Sequence, residues 1–353
     1  MQDFTKEYNL LDSFCIKGDV VDISLYGEGH INVTMLVVTT KAKYILQKIN
    51  TVVFKAPEDV MHNILLVTEF IKNKEKLSLT IVKTKDGKAM LRLGDDCYRV
   101  YDFIDKSVTY QQAKNEQIFK NAGYAFGEFQ NWLADFDATQ LNETITNFHN
   151  TPHRYEDFSD SVKNNASGRL ELCKKEVEFV TERRYTLSKI TNALATGEIP
   201  VRVTHNDTKL NNILMDPNTG KAKAVIDLDT VMPGSMLYDF GDAIRFGAST
   251  AAEDERNLDK VNFDINLFKA YAEGFCQALN GHITENERNL LPYSAYLMTI
   301  ECGMRFLADF IDGDIYFATK YSDHNLIRCR TQLKLAKQMQ EREAEMLEIV
   351  KKL

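Results

Sequence analysis

Short runs of alternating apolar and polar residues dominate the first hundred positions of the chain. β-Branched and aromatic residues are frequent in these runs, and glycine or charged residues separate them, a pattern typical of β-strands. The pattern predicts strands at residues 20–25, 31–39, 43–49 and 97–104, and a hairpin of residues 80–85 and 89–93. Residues 57–72 place apolar side chains at helical spacing instead. The first part of the chain is therefore expected to form a small sheet with one helix.

The pattern becomes helical from about residue 111 onward. It predicts helices at 115–136, 266–279, 285–310 and 325–350, and two more within 161–194. One predicted β-hairpin, residues 212–228, interrupts these helices. A strand-rich first part followed by a helical body is typical of a bilobal, protein-kinase-like α+β fold. We expect a small β-rich N-terminal lobe over residues 1–104 and a larger helical C-terminal lobe over residues 105–353.

Composition limits the partners that this chain is expected to have. The 43 Lys and Arg against 51 Asp and Glu give a net charge of −8, which argues against nucleic acid or an anionic membrane surface as the main partner. The six cysteines lie far apart without a C-x-x-C pair, so we expect neither a zinc site nor a disulfide framework. No apolar run is long enough to cross a membrane and the N-terminus lacks a signal-peptide pattern, so we expect a cytoplasmic protein. No apolar stripe outside the expected core demands a protein partner.

The most informative segment is residues 203–212, which contains the pattern H-x-D-x-x-x-x-N and is followed shortly by Asp227. A carboxylate, an amide and a second carboxylate at this spacing are what a phosphoryl-transfer site requires. Asp207 is the candidate general base for an attacking hydroxyl. Asn212 and Asp227 are the candidate ligands of one or two Mg²⁺ ions that hold the phosphates of ATP.

The predicted hairpin after this loop is expected to bring residues that are distant in sequence close together in space. Antiparallel pairing places the start of its first strand beside the end of its second, so Asn212 and Asp227 are expected to be neighbours. Asp207 lies on the loop just before, and we expect His205 to brace that loop by hydrogen bonding. The competing interpretation is that these residues only cap turns. The agreement of the motif, the hairpin and the strand-rich first part favours the metal site.

Weaker candidates flank this set. Asp229 is expected to share a strand face with Asp227, and it either touches a second metal or the acceptor, or pairs with a basic neighbour. Lys209, inside the catalytic loop, either stabilises a transferring phosphoryl group or is an exposed lysine. Gly27 and Gly29 either allow the backbone to approach the phosphates or mark an ordinary turn.

An Asp-Phe-Gly sequence at residues 239–241 resembles the metal-binding motif of protein kinases. Asp227, directly after the hairpin, is better placed to bind the metal. Asp239 and Asp242 are therefore expected to cap or brace the next helix.

Residues far from the loop are candidates for contact with the acceptor. His30 follows the glycine-containing turn and either reaches the acceptor or the phosphates, or satisfies a strand edge. Arg305 and Tyr316 belong to a polar cluster at the end of an apolar helix near the C-terminus. This cluster forms either a polar wall for a sugar-like acceptor or, through Arg305 and Asp309 at i, i+4, a structural ion pair.

These motifs resemble the aminoglycoside phosphotransferase and choline kinase superfamily of small-molecule kinases. Two of the matching blocks, 148–158 and 301–321, narrow the resemblance to the N-acetylhexosamine 1-kinases. The other blocks are 26–32, 43–50, 98–104, 203–216 and 226–250, so the resemblance spans nearly the whole chain.

The resemblance implies phosphorylation of N-acetylglucosamine or N-acetylgalactosamine at the anomeric hydroxyl, with ATP and Mg²⁺. It implies a nucleotide-binding first lobe and a catalytic, sugar-binding second lobe that close on their ligands. Asp207 matches the family's base, and Asn212 and Asp227 match its metal ligands. The positions at which sugar contacts are expected are His30, Asp229, Arg305 and Tyr316.

Gln47 departs from the wider superfamily, because most of its kinases place a phosphate-binding lysine at this strand position. Either Gln47 suffices because metal and loop hold the phosphates, or Lys48 is used through a local irregularity of the strand. The hexosamine kinases share a glutamine here, so the departure does not imply loss of activity.

Two competing hypotheses remain beside the sugar 1-kinase. One is a kinase of the same fold for another small hydroxyl compound, such as an aminoglycoside, homoserine or choline. The other is a nucleotide-binding pseudokinase, which Gln47 suggests and which the complete set of Asp207, Asn212 and Asp227 argues against.

Overall fold

An antiparallel sheet forms the first part of the chain in the computed structural model, which describes residues 4–27 and 31–353. Helix α1 (Thr5–Leu11) precedes the sheet, and helix α2 (Pro57–Asn73) lies between its third and fourth strands. The strands are β1 (Val20–Leu25), β2 (Val33–Thr39), β3 (Lys43–Ile49), β4 (Ile81–Val82), β5 (Leu91–Leu93) and β6 (Asp96–Asp102). Their order is β1-β2-β3-β6-β4, and β5 also pairs with β6. The sequence pattern missed α1.

The predicted hairpin of residues 80–93 is wrong in its pairing. A turn does form there, since Thr84 N donates to the carbonyl of Lys88 at 2.8 Å. Beyond that turn, however, both flanks pair with β6: β4 through Ile81 and Val82, and β5 through residues 91–93. Strand β6 is buried along residues 97–101 and attracts both apolar flanks, and the short 94–95 turn leads β5 directly into it.

The rest of the described chain is helical around two short strand pairs. The helices are α3 (Glu116–Trp132), α4 (Thr151–Asn164), α5 (Lys174–Glu182), α6 (Lys189–Ala195), α7 (Met236–Gly247), α8 (Ile265–Leu279), α9 (Glu285–Asp312), α10 (His324–Glu341) and α11 (Glu343–Val350). The strands are β7 (Arg202–Thr204), β8 (Ile213–Met215), β9 (Ala222–Val225) and β10 (Met232–Gly234), of which β8 pairs with β9 and β10 with β7. The α+β layout with a β-rich first part and a larger helical second part is confirmed.

Two helical predictions need correction. The segment 161–194 holds the end of α4 and then two short helices, because α4 begins early, at Thr151, where Asn150 caps it by accepting from the amide of His153. The helix predicted at 325–350 is two helices, which are separated at Arg342.

Helix α2 connects the sheet to the helical part. It carries buried residues into the same core as the C-terminal helices, whereas a smaller core lies between α1 and the other face of the sheet. Its Asn63 donates to the carbonyls of Asn142 at 2.8 Å and Val231 at 2.9 Å. The sheet is thereby fixed to the segment that follows the β8–β9 hairpin. None of the helices within the described ranges is long and apolar enough to cross a membrane.

Three glycines allow α3 and α8 to approach closely. A Cβ atom on Gly274 would lie 2.0 Å from the carbonyl oxygen of Lys120, and one on Gly123 would lie 2.2 Å from that of Tyr271. A Cβ atom on Gly127 would lie 2.5 Å from the carbonyl oxygen of Phe275. These distances are far below van der Waals contact, so the helix spacing depends on the missing side chains.

We expect Gly274→Ala to lower the free energy of unfolding by about 1–3 kcal/mol, because α3 and α8 must separate to admit the methyl group. Urea unfolding followed by circular dichroism measures this change. Gln277→Ala, at an exposed position of the same helix, is the matched control and should stay within about 0.5 kcal/mol of the wild type. Equal stability of the two variants would contradict the close approach.

Candidate active site

His205 braces the loop between β7 and β8 by hydrogen bonding, as predicted. This side chain is fully buried between Phe126 and Phe129. Its Nε2 donates to the carbonyl of Ile226 at 2.9 Å, and its Nδ1 accepts from the amide of Asp207 at 3.3 Å. His205 therefore joins the loop to the end of the β8–β9 hairpin.

The carboxylate of Asp239 holds the same loop from the side of α7. Its Oδ2 accepts from the amide of His205 at 3.0 Å and from Gln130 Nε2 at 2.7 Å, and its Oδ1 accepts from the amide of Asn206 at 2.7 Å. Asp242, one turn later, accepts from the amide of Thr208 at 3.1 Å.

Asp239 and Asp242 are thus bracing residues, but what they brace is the catalytic loop. The expectation that they cap the next helix is wrong, since both lie inside α7 and its cap is Ser235. A helix brings carboxylates at i and i+3 to one face, which here is the face turned to the loop.

The hairpin brings Asn212 and Asp227 together as the sequence predicts. Ile213 pairs with Val225, and the amide of Ile226 donates to the carbonyl of Asn212 at 2.9 Å. Asn212 Nδ2 donates to the carbonyl oxygen of Asp207 at 2.8 Å and to its Oδ2 at 3.0 Å. The amide oxygen of Asn212 makes no hydrogen bond with any described residue.

Asp207 stands at the centre of this arrangement. Its Oδ1 lies 2.7 Å from Lys209 Nζ, and both side chains remain about one-third exposed or less, at 26% and 36%. Burial by itself would raise the pKa of Asp207, but the Lys209 ammonium, His205 and the Asn212 amide outweigh it and lower that pKa. The carboxylate also raises the pKa of Lys209 above its ordinary value. Asp207 is therefore an ionised acceptor at neutral pH.

Asp227 is the carboxylate that the protein leaves without a partner. It adopts a left-handed conformation with φ of +60°, is exposed and makes no hydrogen bond or ion pair with the described residues. The protein packed around it, and then the negative charges of Asp229 and Asp207, raise its pKa above the ordinary value. A cation at this point would relieve that repulsion.

The donor chemistry fits Mg²⁺. The partnerless oxygens of Asn212 and Asp227 are hard ligands, and Mg²⁺ is commonly held by one or two carboxylates with waters and substrate phosphates completing its octahedron. Within residues 4–27 and 31–353, no three or more His, Cys, Asp or Glu side chains are grouped so that they could hold a metal ion. Such an ion would therefore depend on the phosphates of the nucleotide for part of its coordination.

Asp229 does not share a strand face with Asp227, because residues 228–230 form a 3-10 turn in which the period of two does not apply. Its Oδ1 lies 2.5 Å from Arg99 Nη1, and its Oδ2 accepts from Asn32 Nδ2 at 2.6 Å. Of the alternatives considered for this residue, the contacts support pairing with a basic neighbour. Arg99 was not among the predicted site residues, although a lone arginine in an apolar strand indicates a buried partner.

Gln47 and Lys48 of β3 were the two candidates for the position of the phosphate-binding lysine, and both are engaged by other residues. Gln47 accepts from Arg99 and donates to Thr34, and Lys48 points to the opposite face, where it pairs with Asp96 at 2.8 Å. The hypothesis that Lys48 is used through a strand irregularity is not supported, because β3 pairs regularly along its length.

The glycine-containing turn is only partly described. Gly27 has φ of +78° and open space around its Cα, so the turn requires glycine for conformation and not for crowding. Gly29 and His30 lie outside the described residues.

Residues 22–278 match the model of the phosphotransferase enzyme family. The chain belongs to this family.

Solved structures with the same fold include several small-molecule kinases. The structure of a microcompartment-associated aminopropanol kinase is 14% identical, covers 98% of this chain and 99% of its own, and superposes with a TM-score of 0.68. A choline kinase from Cryptosporidium parvum Iowa II is 12% identical over 97% of both chains, with a TM-score of 0.64. A spectinomycin phosphotransferase in complex with ADP and spectinomycin is 12% identical, covers 93% of this chain and 98% of its own, and has a TM-score of 0.56. These likenesses confirm the protein-kinase-like fold.

On the side of α9, Arg305 of the phosphotransferase lies among aromatic rings. Its guanidinium lies 5.5–5.8 Å from the ring centres of Phe148, Tyr316 and Phe317 and makes no hydrogen bond or ion pair with a described residue. The alternative ion pair with Asp309 is absent: the carboxylate of Asp309 accepts from the amides of residues 316 and 317 and from Asn325 Nδ2.

A buried polar chain that sequence analysis missed joins this side to the loop. Glu301 accepts from Thr151 at 2.5 Å and lies 2.7 Å from His149 Nδ1, while His149 Nε2 lies 3.4 Å from the carbonyl of Asn206. Glu301 is one helical turn before Arg305 on α9. The signal available in the sequence was a glutamate inside an otherwise apolar helix.

We expect Asp239→Asn to disturb the catalytic loop, because one amide oxygen cannot accept from the three donors that the carboxylate serves. The buried donor left without an acceptor should lower the free energy of unfolding by about 1–3 kcal/mol. Chemical denaturation measures this loss, and amide exchange of residues 205–208 should become faster.

The matched control is Asp135→Asn, because that side chain is 74% exposed. If Asp239→Asn had the same free energy of unfolding and the same amide exchange of residues 205–208 as this control, the bracing role of Asp239 would be contradicted.

Proposed function

We propose that this phosphotransferase transfers the γ-phosphoryl group of ATP to the anomeric hydroxyl of N-acetylhexosamines such as N-acetylglucosamine and N-acetylgalactosamine. The observation that carries the proposal is the convergence of Asp207, Asn212 and Asp227, with Asp227 left without a partner among the described residues. The family supports phosphoryl transfer, and the sequence resemblance to the hexosamine kinases supports the acceptor.

The contacts of the loop support distinct roles for its residues. Asp207, ionised and held by Asn212 and Lys209, would accept the proton of the attacking hydroxyl. Asn212 and Asp227 would bind Mg²⁺, which supplies charge neutralisation at the ATP phosphates. Lys209 would exchange part of its contact with Asp207 for the transferring group, as its ammonium is partly exposed.

ATP as the phosphoryl donor is supported by the ADP bound to the spectinomycin phosphotransferase of the same fold. The turn at Gly27 and Gly29 would cover the phosphates from the side of the sheet. Gln47 would act indirectly, because its amide is engaged by Arg99 and Thr34.

The surroundings of Arg305 bear on the class of acceptor. A guanidinium beside Tyr316 and Phe148 offers donors to hydroxyl and acetamido oxygens and an aromatic surface to a sugar ring. His30 and Asp229 complete the proposed set of sugar contacts, and the two engaged oxygens of Asp229 make it the weakest member.

A cationic amino alcohol is the second candidate acceptor, because the aminopropanol and choline kinases share this fold. Arg305, which forms no ion pair with a described residue, would repel such a cation if it lies near the acceptor. The sugar is therefore favoured over the amine.

An acceptor panel tests the proposal. Purified protein with ATP and Mg²⁺ should phosphorylate N-acetylglucosamine or N-acetylgalactosamine, and should leave choline, ethanolamine and aminoglycosides unchanged. The 1-O-methyl glycoside of the best sugar is the matched control for position and should not react. If only the amines are phosphorylated, the acceptor is an amino alcohol and not a sugar. If the methyl glycoside is phosphorylated, the anomeric hydroxyl is not the acceptor group.

We expect Asp207→Asn to lower kcat by about 10²–10⁴-fold, because it removes the base while keeping the shape of the side chain. Calorimetry should show that Mg·ADP still binds. Asp160→Asn, with a side chain 72% exposed, is the control and should retain full kcat. Unimpaired turnover in a folded Asp207→Asn protein would exclude Asp207 as the base.

A further inference from the structure

The position of the usual kinase lysine is linked to a buried arginine on the neighbouring strand. Gln47 of β3 is paired with Arg99 of β6 in the sheet. Gln47 Oε1 accepts from Arg99 Nε at 3.0 Å and from Nη2 at 2.8 Å. Gln47 is in turn oriented by Thr34, because its Nε2 donates to Thr34 Oγ1 at 3.0 Å.

The other end of Arg99 reaches across to the catalytic side. Its Nη1 lies 2.5 Å from Asp229 Oδ1, and the two side chains are 1% and 4% exposed. Asp229 follows Asp227 by two residues in the same tight turn. Asn32 of the loop after β1 holds the second oxygen of Asp229, and its own Oδ1 accepts from the amide of Asn50 at 2.9 Å.

Arg99 has no contact surface left for a nucleotide. Its donors are directed at Gln47, Asp229 and the sulfur of Met61, and water does not reach the guanidinium. Its effect on the reaction must therefore pass through the residues that it holds.

We propose that Arg99 is a positioning residue that replaces the missing strand lysine: it fixes the Asp227–Asp229 turn from the sheet and so places the Asp227 carboxylate for the metal-bound nucleotide. The positively charged side chain is Arg99 on β6 and not a lysine on β3, and Gln47 orients it as a hydrogen-bond acceptor. The inference rests on the proposed use of Mg·ATP and is independent of which hydroxyl compound accepts the phosphoryl group.

The charges around the turn support this assignment. Arg99 is the cation paired with Asp229 among the described residues, whereas Lys209 is paired with Asp207. Without Arg99, Asp229 would be a buried carboxylate beside two others, and the turn would have to rearrange to reach water. The position of Asp227 would then no longer be defined by the sheet.

Arg99→Met keeps the aliphatic stem and removes the charge. We expect it to lower the affinity for Mg·ADP by about 10- to 100-fold, as for other residues that orient metal ligands. Isothermal titration calorimetry measures this affinity. In turnover, kcat should fall, because the Asp227 carboxylate is no longer held in place for the metal-bound nucleotide. Without any ligand, amide exchange of residues 227–231 should become faster than in the wild type.

A second substitution separates positioning from general destabilisation. A lysine at position 47 extends past the Gln47 amide into the space that the guanidinium vacates, so Gln47→Lys combined with Arg99→Met should recover Mg·ADP affinity about tenfold. Gln47→Lys alone should weaken it, because two buried cations would then face each other. Arg92→Met, which removes only an exposed ion pair with Glu58, is the matched control and should bind Mg·ADP as the wild type does.

A folded Arg99→Met protein with wild-type affinity and wild-type exchange of the 227–231 turn would overturn the proposal, as would a double variant without recovery. If Arg99→Met does not fold, Arg99→Gln takes its place, since its amide can still form a hydrogen bond with Gln47 while the positive charge opposite Asp229 is lost. Unchanged Mg·ADP affinity in that variant would equally overturn the proposal. Wild-type protein that binds Mg·ADP but ignores N-acetylhexosamines would contradict the proposed acceptor and not the role of Arg99.

Discussion

Compensation of negative charge is the constraint on which this structure depends. Five carboxylates meet where the sheet joins the helices, and a carboxylate removed from water needs a cation or several hydrogen bonds. Arg245 compensates Asp242, backbone amides and Gln130 compensate Asp239, Lys209 compensates Asp207, and Arg99 compensates Asp229. The fifth, Asp227, has no cation or hydrogen-bond donor among the described residues and is exposed. Asp227 is therefore the position at which a cation other than a protein side chain is needed.

The same contacts explain how two dissimilar halves act as one site. In the part of the chain that the structure describes, Arg99 of the sheet and Asn32 of the β1–β2 loop both contact Asp229. Helix α2 adds a third connection through Asn63 and the carbonyl of Val231, just beyond the same turn. These three contacts fix the sheet and α2 to the residues that follow Asp227.

The sequence predicted contacts between residues that are close in sequence better than contacts between residues that are far apart in sequence. Asn212 and Asp227 were brought together correctly because one hairpin connects them, and strand pairing is a local rule. The partner of Asp229 could not be found in this way, since Arg99 lies on another strand more than a hundred residues earlier. The period-of-two argument failed at Asp229 because the left-handed conformation of Asp227 ends the strand, and no pattern of apolar residues reports a backbone angle. The hairpin of residues 80–93 failed for a similar reason: its turn was predicted correctly, but β6 competed for both flanks.

The pseudokinase hypothesis rested on Gln47, and the contacts of that residue weaken it. A glutamine that had merely replaced a lysine would leave Asp229 without a cation, yet the buried guanidinium of Arg99 fills that need and uses the glutamine as its acceptor. Asp227 adds a second argument. Holding a carboxylate near two others, in a left-handed conformation and without a partner, costs folding free energy, and such costs are concentrated at functional sites. A protein that only bound nucleotide would gain stability from an asparagine or glycine at this position. The retained aspartate is explained if the site handles the metal-bound phosphates of a reacting nucleotide.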